Sequence, residues 1–313
     1  MTHITIDFGG TNIKIGLVLN GAILAHSSMP SYSGQGIQGR LDDAERAVRK
    51  LLGEQGIRME DCTGLGIAIP GIVNSAERQV LSIHEKYEDA IGYSFDGWVR
   101  ERFAMPFAME NDARAALIGE TAYGAAQGEK DVVMVIFGTG IGTAVMIDGQ
   151  VLRGKHHQAG VLGGHLTTDR QGPLCNCGNR GCLEEFASHR ALRPRAMESR
   201  AFKDSVLSAA DEMGYLSVIE ARLSGDGFAA AYMEELVSHW SAGIVNLIHA
   251  YDPDAVLLSG GLMKSAEAVL PLIEEEVHGR TWTPWGKVRF LVSSQPDASV
   301  LLGLSKLLDT KSN

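Results

Sequence analysis

The sequence predicts an α/β fold built from two similar halves, and three observations support this prediction. First, residues 4–24 and 132–152 share one layout of strand, glycine turn, strand, Asn-Gly or Asp-Gly hairpin, and strand. Second, helical and strand patterns alternate after the first copy, which is typical of layered α/β architectures. Third, a loop-rich insert at 154–188 separates the second copy from the helices that follow it.

The first copy places a glycine turn directly after a predicted buried strand. Residues 4–8 and 13–19 are apolar or β-branched except for Asp7, Lys14 and Gly16, as expected for two strands. Asp7 lies at the end of the first strand. The turn that follows consists of Gly9, Gly10 and Thr11.

The second copy repeats this layout with strands at 132–137 and 142–147. Its turn consists of Gly138, Thr139 and Gly140. A Walker loop would continue with Lys-Ser/Thr into a helix, and a Rossmann fingerprint would place a helix directly after the glycines. Apolar β-branched residues follow both turns instead. Each turn alone is compatible with a plain tight bend. Their repetition, with Asp7 before one, predicts phosphate-binding turns that close on one nucleotide from opposite sides, as in an ATP-using enzyme.

The remaining elements of the first half follow from periodicity. A helix is predicted over 41–52, and strands are predicted at 65–69 and 107–109, the former stopped by Pro70-Gly71. A second helix is predicted over 113–126. The apolar face of the first helix consists of Leu41, Ala44, Val48, Leu51 and Leu52.

The second half continues with helical stretches at 190–225 and 228–251. A strand at 255–259 ends in a third glycine turn, Gly260-Gly261, and a final helix is expected over 300–308. We therefore predict an N-terminal unit of residues 1–117, completed by a C-terminal helix at 298–313. Residues 118–297 form the second unit, which carries the insert.

Composition excludes several classes of protein. A chain of 313 residues with a formal net charge of −10 does not favour nucleic acid or an anionic membrane as the main partner. It is compatible with a nucleotide, which binds through backbone amides and a metal ion. The absence of an 18-residue apolar run predicts no transmembrane helix, and the early strand predicts no signal peptide. Three cysteines within eight positions indicate metal in a reducing compartment, so we expect a cytoplasmic protein.

The insert holds a cluster of metal-binding side chains. Three thiols and an imidazole form a Cys₃His set, the closed arrangement of structural zinc. Glycines between the cysteines allow the backbone to bend around one ion. The alternative is a set of free cysteines in a buried loop. A zinc-ribbon module for nucleic acid would normally bring more basic residues than the two arginines present. The predicted ligands are His165, Cys175, Cys177 and Cys182.

An ordered set of motifs resembles the ROK family of bacterial sugar kinases and sugar-responsive repressors. The resemblance implies a two-lobed actin-like (ribonuclease H-like, hexokinase-like) ATPase fold with duplicated β-meander/α units and a zinc-bearing insert. The motifs run from residue 7 to about 188, and the late turn Ser259-Gly260-Gly261 extends the match. They are Asp7-x-Gly9-Gly10-Thr11, Glu110-Asn111-Asp112, Gly138-Thr139-Gly140-x-Gly142, Gly164-His165 and Cys175-x-Cys177-Gly178-x-x-Gly181-Cys182-x-Glu184.

The resemblance implies ATP-dependent phosphorylation of a hexose or amino sugar, usually at the 6-hydroxyl, in a cleft between two lobes. Asp112 would be the general base, although Asn111-Asp112 alone also suits a helix N-cap. Asp7 would orient Mg²⁺, through water. One side of the ATP phosphates would be contacted by Gly9, Gly10 and Thr11. The other side of the phosphates would be contacted by Gly138, Thr139 and Gly140. The adenosine would be lined by Gly260 and Gly261.

The resemblance also implies the sugar contacts, which would be made by Gly71, Asn111, Asp112, His165 and Glu184. His165 would hold zinc by one ring nitrogen and a sugar hydroxyl by the other. The alternative interpretation of Glu184 is a carboxylate at a helix N-terminus.

One position departs from the family pattern. The family commonly has Glu-x-Gly-His, whereas this chain has Leu162 at the glutamate position. Losing that charged hydrogen-bond partner would cost about 1.5–3 kcal/mol of sugar binding unless another group replaces it. His156, His157 and Gln158 are nearby in sequence. The identity of the acceptor is therefore open: the pattern indicates kinase chemistry more strongly than glucose as the substrate, and it allows a sugar with different C1 or C2 chemistry, such as an acetamido sugar or a ketose.

Two other functions compete with a kinase. The first is a sugar-sensing transcriptional regulator of the same family. Such repressors carry a winged helix-turn-helix ahead of the sugar domain, and because the phosphate turn begins at Asp7 we expect none in this sequence. A catalytically idle sugar-binding or partner-regulating protein is the other alternative, and Leu162 keeps it open. The family is often dimeric or tetrameric, so we expect a homo-oligomer, with the helices between residues 190 and 251 as the candidate interface.

Overall fold

A computed structural model describes residues 1–311 as two compact units. The first unit consists of Met1–Gly128, Arg153–Ala159 and the chain from Ser294 onward. The second consists of Glu129–Leu152 and Gly160–Ser293. The chain therefore leaves the second unit briefly at 153–159 to contribute one segment to the first.

Within residues 1–311, the first unit combines seven strands with four helices. Its elements are β1 (Thr2–Phe8), β2 (Asn12–Leu19), β3 (Ala22–Pro30), α1 (Gln38–Gln55), β4 (Cys62–Ile69), β5 (Ile72–Asn74), β6 (Gln79–Ser82), α2 (Phe95–Arg102), β7 (Phe107–Asn111), α3 (Asp112–Tyr123) and, from the end of the chain, α9 (Pro296–Lys311).

The second unit combines five strands with five helices. Its elements are β8 (Val132–Phe137), β9 (Ile141–Ile147), β10 (Gln150–Val151), α4 (Leu183–Ala187), α5 (His189–Ala196), α6 (Tyr215–Leu223), α7 (Gly227–Tyr251), β11 (Ala255–Gly260), α8 (Ala266–Arg280) and β12 (Arg289–Val292).

The main sheets of the two units share one topology. In the first unit the strand order is β3-β2-β1-β4-β7, with an antiparallel meander β1-β2-β3 and parallel β4 and β7. In the second the order is β10-β9-β8-β11-β12, again with a meander followed by two parallel strands. The duplicated α/β architecture predicted from the repeats is therefore confirmed.

Helix α1 shows how apolar spacing determines which face is buried. Its buried residues are Leu41, Ala44, Val48, Leu51 and Leu52, the predicted face. The helix ends at Gly56, whose φ of 65° is in the left-handed region that glycine adopts without strain.

The stretch 190–225 is divided rather than continuous. Helix α5 ends at Ala196, and short 3₁₀ turns fill the segment before α6. Pro194 lies inside α5 and cannot donate a backbone hydrogen bond. Further along, the Ser205 side chain accepts from the backbone N–H of Leu207, 3.1 Å away, and so starts a separate turn.

The last helix is longer than predicted at its N-terminal end, since α9 begins at Pro296. The predicted 298–313 helix extends past the described chain at its last two positions. Helix α9 crosses α3 closely, because a β-carbon at Gly119 or Gly303 would collide with the backbone of the opposite helix. This packing anchors α3, which begins at Asp112. Within residues 1–311, the structure has no helix with the length and apolar character of a membrane span.

Candidate functional site

Asp112 lies where β7 passes into α3, and Asn111 fixes that junction. The Asn111 side chain accepts from the Arg114 backbone N–H at 3.1 Å and so caps α3. Its Nδ2 donates to the carbonyl oxygen of Gly71 at 2.9 Å and to Oδ1 of Asp112 at 3.0 Å. The same Asp112 oxygen accepts from the Ala113 N–H at 2.8 Å. Three of the predicted sugar-side residues therefore meet at one point.

Two influences act on the Asp112 carboxyl. Burial raises the pKa of Asp112. Hydrogen bonds from Ala113 and Asn111 and the positive charge of Lys86 lower it and so oppose the effect of burial. Carboxylates at such junctions can be tuned towards proton transfer.

A buried ionic cluster supports the junction from behind. Glu110 is fully buried, and its Oε1 accepts from the Asn111 N–H at 3.0 Å. Arg153 donates twice to the other oxygen, at 3.0 and 2.6 Å, and Arg114 lies 3.6 Å from Oε1. Arg114 also donates to the carbonyls of His157 and Ala159, each at 2.9 Å. This cluster ties the 153–159 segment to the first unit, and the sequence analysis missed it.

Asp7 is a buried carboxylate at the end of β1. Its Oδ1 is buried and finds no hydrogen-bond partner within residues 1–311. Burial raises its pKa from 3.8 to about 7, and the negative charge of Asp112 adds to that rise. An orphaned carboxylate oxygen beside a second carboxylate is a suitable ligand or water acceptor for Mg²⁺.

The first glycine turn is held by hydroxyl groups. Ser31 and Ser33 donate to the Gly10 carbonyl, at 2.6 and 2.9 Å, and the Tyr87 hydroxyl donates to the Gly9 carbonyl at 3.0 Å. A β-carbon at Gly10 would lie 2.8 Å from both Cε and Nζ of Lys86. Thr11, the last residue of the turn, is exposed. Three side-chain hydrogen bonds to its carbonyls therefore hold the turn in place.

Gly71 follows β4 and has a φ of 92°, which few non-glycine residues tolerate. A β-carbon there would collide with the Ser82 carbonyl oxygen. Glycine therefore lets the backbone carbonyl reach Asn111.

The second glycine turn is held by Glu184. Its Oε2 accepts from the Ile141 N–H at 2.8 Å, and its Oε1 accepts from Arg190 at 3.0 Å. A β-carbon at Gly140 would collide with Oε2. The Gly138 N–H donates to the Gly140 carbonyl at 3.0 Å, and the Thr139 carbonyl accepts from the Arg190 N–H at 3.1 Å. Glu184 thus supports this turn, a role that sequence spacing did not indicate.

The third turn lies beside the second. Gly260 ends β11 with a φ of 91°, and a β-carbon there would collide with the backbone of Phe137. Gly261 begins the 3₁₀ turn that follows. The ends of β8 and β11 therefore bring the Gly138 and Gly260 turns together in the second unit.

The four predicted metal ligands meet in the second unit. Their ligand atoms all lie within 4.8 Å of one another. Nδ1 of His165 is 3.6 Å from the sulfur of Cys175, and the sulfurs of Cys177 and Cys182 are 3.7 Å apart. Tetrahedral zinc with Zn–S bonds near 2.3 Å separates its ligand atoms by roughly 3.8 Å. The arrangement fits a zinc ion.

Thiol chemistry supports this fit. Burial raises the pKa of the Cys175 thiol and of the Cys182 thiol, and a bound cation would offset this rise by favouring the thiolates. Nδ1 of His165 faces the sulfurs, which leaves its other ring nitrogen for a second partner.

The residues that could replace the missing family glutamate lie in a different unit from Leu162, which occupies the glutamate position. His156, His157 and Gln158 belong to the first unit, and Leu162 belongs to the second. Leu162 is 39% exposed, and Nδ1 of His157 is buried with no hydrogen-bond partner among the described residues.

Comparisons with known proteins connect this geometry to a family. The sequence profile of the ROK family matches residues 3–311. The glucokinase of Thermotoga maritima is 28% identical over 280 residues, which cover 88% of this chain and 86% of that enzyme. The xylose repressor of Bacillus spizizenii is 30% identical over 246 residues, covering 78% of this chain. The chain spans about 60% of that repressor's length.

A comparison with a solved structure tests the predicted fold. A ROK family glucokinase from Streptomyces griseus, in complex with glucose and AMPPNP, superposes with a TM-score of 0.76 at 27% identity. The match covers 99% of this chain and 100% of that chain. The predicted actin-like ATPase fold is confirmed.

Proposed function

The chain belongs to the ROK family, and on that premise we propose that it is an ATP-dependent sugar kinase. The observation that carries the proposal is the Asp112 junction. The partly buried Asp112 carboxylate is fixed by Asn111 in the same unit as a glycine turn and the unpartnered Asp7 oxygen. These are the parts that phosphoryl transfer requires, namely a base, a phosphate cradle and a place for a divalent cation.

The proposed reaction transfers the γ-phosphoryl group of ATP to a sugar hydroxyl, the 6-hydroxyl in our proposal. Asp112 takes the hydroxyl proton as the sugar oxygen attacks the γ-phosphorus. The bond from that phosphorus to the β,γ-bridging oxygen breaks, and ADP leaves. Because Asn111 holds the carboxylate in place, the base needs little reorganisation during the reaction.

We assign the remaining residues around ATP as follows. Asp7 orients Mg²⁺, which neutralises phosphate charge when bound. The backbone amides of Gly9, Gly10 and Thr11 and of Gly138, Thr139 and Gly140 contact phosphates, and Gly260 and Gly261 line the adenosine. The open backbone at Gly138 and Gly261 supports the assignment, since a β-carbon there would meet no protein atom closer than 3.8 Å. At Gly9, Gly140 and Gly260 a β-carbon would collide with the protein itself, so the shape of each turn requires glycine.

The sugar contacts are proposed for Gly71, Asn111, Asp112, His165 and Glu184. Glu184 already accepts two hydrogen bonds, so its contribution is through the turn and any remaining lone pair. Zinc at the Cys₃His cluster is structural, because all four positions are filled by protein. Because thiolate ligands suit a reducing compartment, we propose that the protein is cytoplasmic. We also propose that it forms a homo-oligomer.

The similarity to xylose repressors favours one alternative, a sugar-sensing regulator that does not turn over ATP. The two functions differ in ATP consumption.

The test is a coupled assay of ADP release with Mg-ATP across hexoses, ketohexoses and N-acetylated amino sugars. We expect sugar-dependent turnover that falls about 10²–10⁴-fold in Asp112→Asn. Asp148→Asn, at an exposed hairpin position with a φ of 51° that asparagine tolerates, is the matched control. An inactive chain that binds sugar tightly would favour the sensor.

A further inference from the structure

Lys86 is a cation at the first glycine turn that no motif predicted. A β-carbon at Gly10 would lie 2.8 Å from its Cε and Nζ, so the lysine chain passes directly over the α-carbon of that glycine. Its positive charge also acts on the Asp112 carboxyl. One ammonium group therefore borders both the phosphate turn and the base.

Lys86 is half-buried, yet it forms no hydrogen bond or ion pair with another residue in the described part of the chain. The other lysine near this site, Lys14, is committed to Asp297, with Nζ 2.6 Å from the carboxylate oxygen. Half-buried lysines normally find a counter-ion, because desolvating an unpaired charge is costly. Although its charge acts on Asp112, Lys86 has no directly bonded anion in the described chain, and an anionic ligand would supply one.

The backbone holds Lys86 in place at some cost. Its two neighbours, Glu85 and Tyr87, have φ values of 62° and 47°, in the left-handed region that L-residues rarely adopt. Strain of this kind persists where the surroundings enforce it, and it clusters at functional sites.

Tyr87 supplies the enforcement. Its side chain is 1% exposed, its hydroxyl donates to the Gly9 carbonyl, and its ring packs edge-on against Phe8. Its N–H donates to the Ser33 carbonyl at 2.8 Å. The loop that presents Lys86 is thus bonded to the phosphate turn itself and to the serine loop that holds the turn.

We propose that Lys86 is a catalytic residue that contacts the transferred phosphoryl group of ATP through its ammonium. The inference rests on the proposed kinase function. The Lys86 ammonium stabilises the negative charge on the phosphoryl oxygens while the γ-phosphoryl group passes from ATP to the sugar. Lysine and arginine clamps serve this role in other phosphoryl transfers. Lys86 takes no proton and forms no bond.

The site's charge balance supports this assignment over a sugar contact. Asp7 and Asp112 place two carboxylates beside the turn, and the γ-phosphoryl group adds further negative charge. A neutral sugar carries no charge that could pair with the Lys86 ammonium, whereas a phosphoryl group carries negative charge.

The experiment compares the wild type with Lys86→Met, which keeps the apolar stem and removes the charge. Lys86→Arg keeps the charge. Lys50→Met removes a lysine that is 77% exposed on α1, in the same unit, and serves as the matched control. Steady-state kcat and KM for the sugar, AMPPNP affinity and melting temperature are measured for each.

We expect kcat to fall about 10²-fold in Lys86→Met, with the sugar KM and melting temperature little changed, because the contact strengthens in the transition state. Lys86→Arg should recover part of the loss, and Lys50→Met should match the wild type. A kcat within threefold of the wild type in Lys86→Met would overturn the inference. So would a rise in sugar KM alone, which would make Lys86 a sugar contact. An inactive wild type would instead refute the kinase proposal itself.

Discussion

Glu110 and Arg114 form an ion pair, 3.6 Å from Oε1 to the guanidinium, in which both side chains are fully buried. The pair brackets Asn111 and Asp112 in sequence. Because Glu110 also accepts the Asn111 N–H and two bonds from Arg153, it links the base to the 153–159 segment. Protein stability and the geometry of the junction therefore depend on the same carboxylate.

Replacing Glu110 with glutamine should destabilise the protein by about 3–5 kcal/mol, since it leaves buried guanidinium charge without its carboxylate. Urea unfolding measures this change. The control is Glu60→Gln, which breaks an exposed pair with Arg58 and should leave the free energy of unfolding almost unchanged, because solvent screens exposed charges. Equal effects of the two substitutions would refute the structural role assigned to Glu110.

The cysteine cluster predicts one zinc ion per chain, measurable by elemental analysis of the purified protein. Cys182→Ala should lose the zinc and lower the melting temperature, because ion binding contributes directly to folding of the insert. Cys62 is buried in the first unit and lies outside the cluster, so Cys62→Ala should retain the zinc. Zinc retained by Cys182→Ala would contradict the ligand set.

Asp7 predicts a pH dependence of stability in magnesium-free buffer. Its pKa rises from 3.8 to about 7 on folding, so between these values unfolding releases a proton. The free energy of unfolding should therefore fall as the pH rises through that window, by up to about 4 kcal/mol from this group.

Asp7→Asn removes that titration, so its stability relative to the wild type should increase from pH 4 to pH 8. Urea unfolding of both proteins across the range gives the difference. Added Mg²⁺ should narrow it by stabilising the ionised wild type. A difference that stays constant with pH would show that Asp7 does not titrate in this window.

Leu162 predicts a sugar preference that a single substitution changes. If the family glutamate contacts sugar hydroxyls, Leu162→Glu should lower the KM for an aldohexose by about 10–100-fold, the value of one charged hydrogen bond. Since Leu162 is 39% exposed, the carboxylate should not harm folding. Leu223→Glu, at a position 72% exposed on α6, is the control. An unchanged preference would place sugar selection elsewhere.

Most of the fold could be predicted from the local spacing of apolar residues, because that spacing reflects which side chains are buried. The face of α1 follows a helical period, and the bounds of β8 coincide with its predicted run at 132–137. Helix α8 was missed although its buried residues Val269, Ile273 and Val277 recur every four positions. Pro271 within it obscured that pattern.

The site was predicted less completely, because its contacts join distant parts of the chain. Lys86 reaches Gly10 across 76 positions, and Arg153 reaches Glu110 across 43. No local spacing encodes such pairs. The cysteine cluster is the opposite case, since three of its four ligands fall within eight residues and their sequence spacing alone indicated the geometry.

The most direct test of the central claim follows the phosphoryl group itself. The wild type and Asp112→Asn are each mixed with [γ-³²P]ATP, Mg²⁺ and the best sugar of the panel under single-turnover conditions, and the labelled products are separated. We predict label on the sugar with the wild type and almost none with Asp112→Asn. Label that remains on ATP, or appears only as inorganic phosphate whether or not sugar is present, would contradict a sugar kinase.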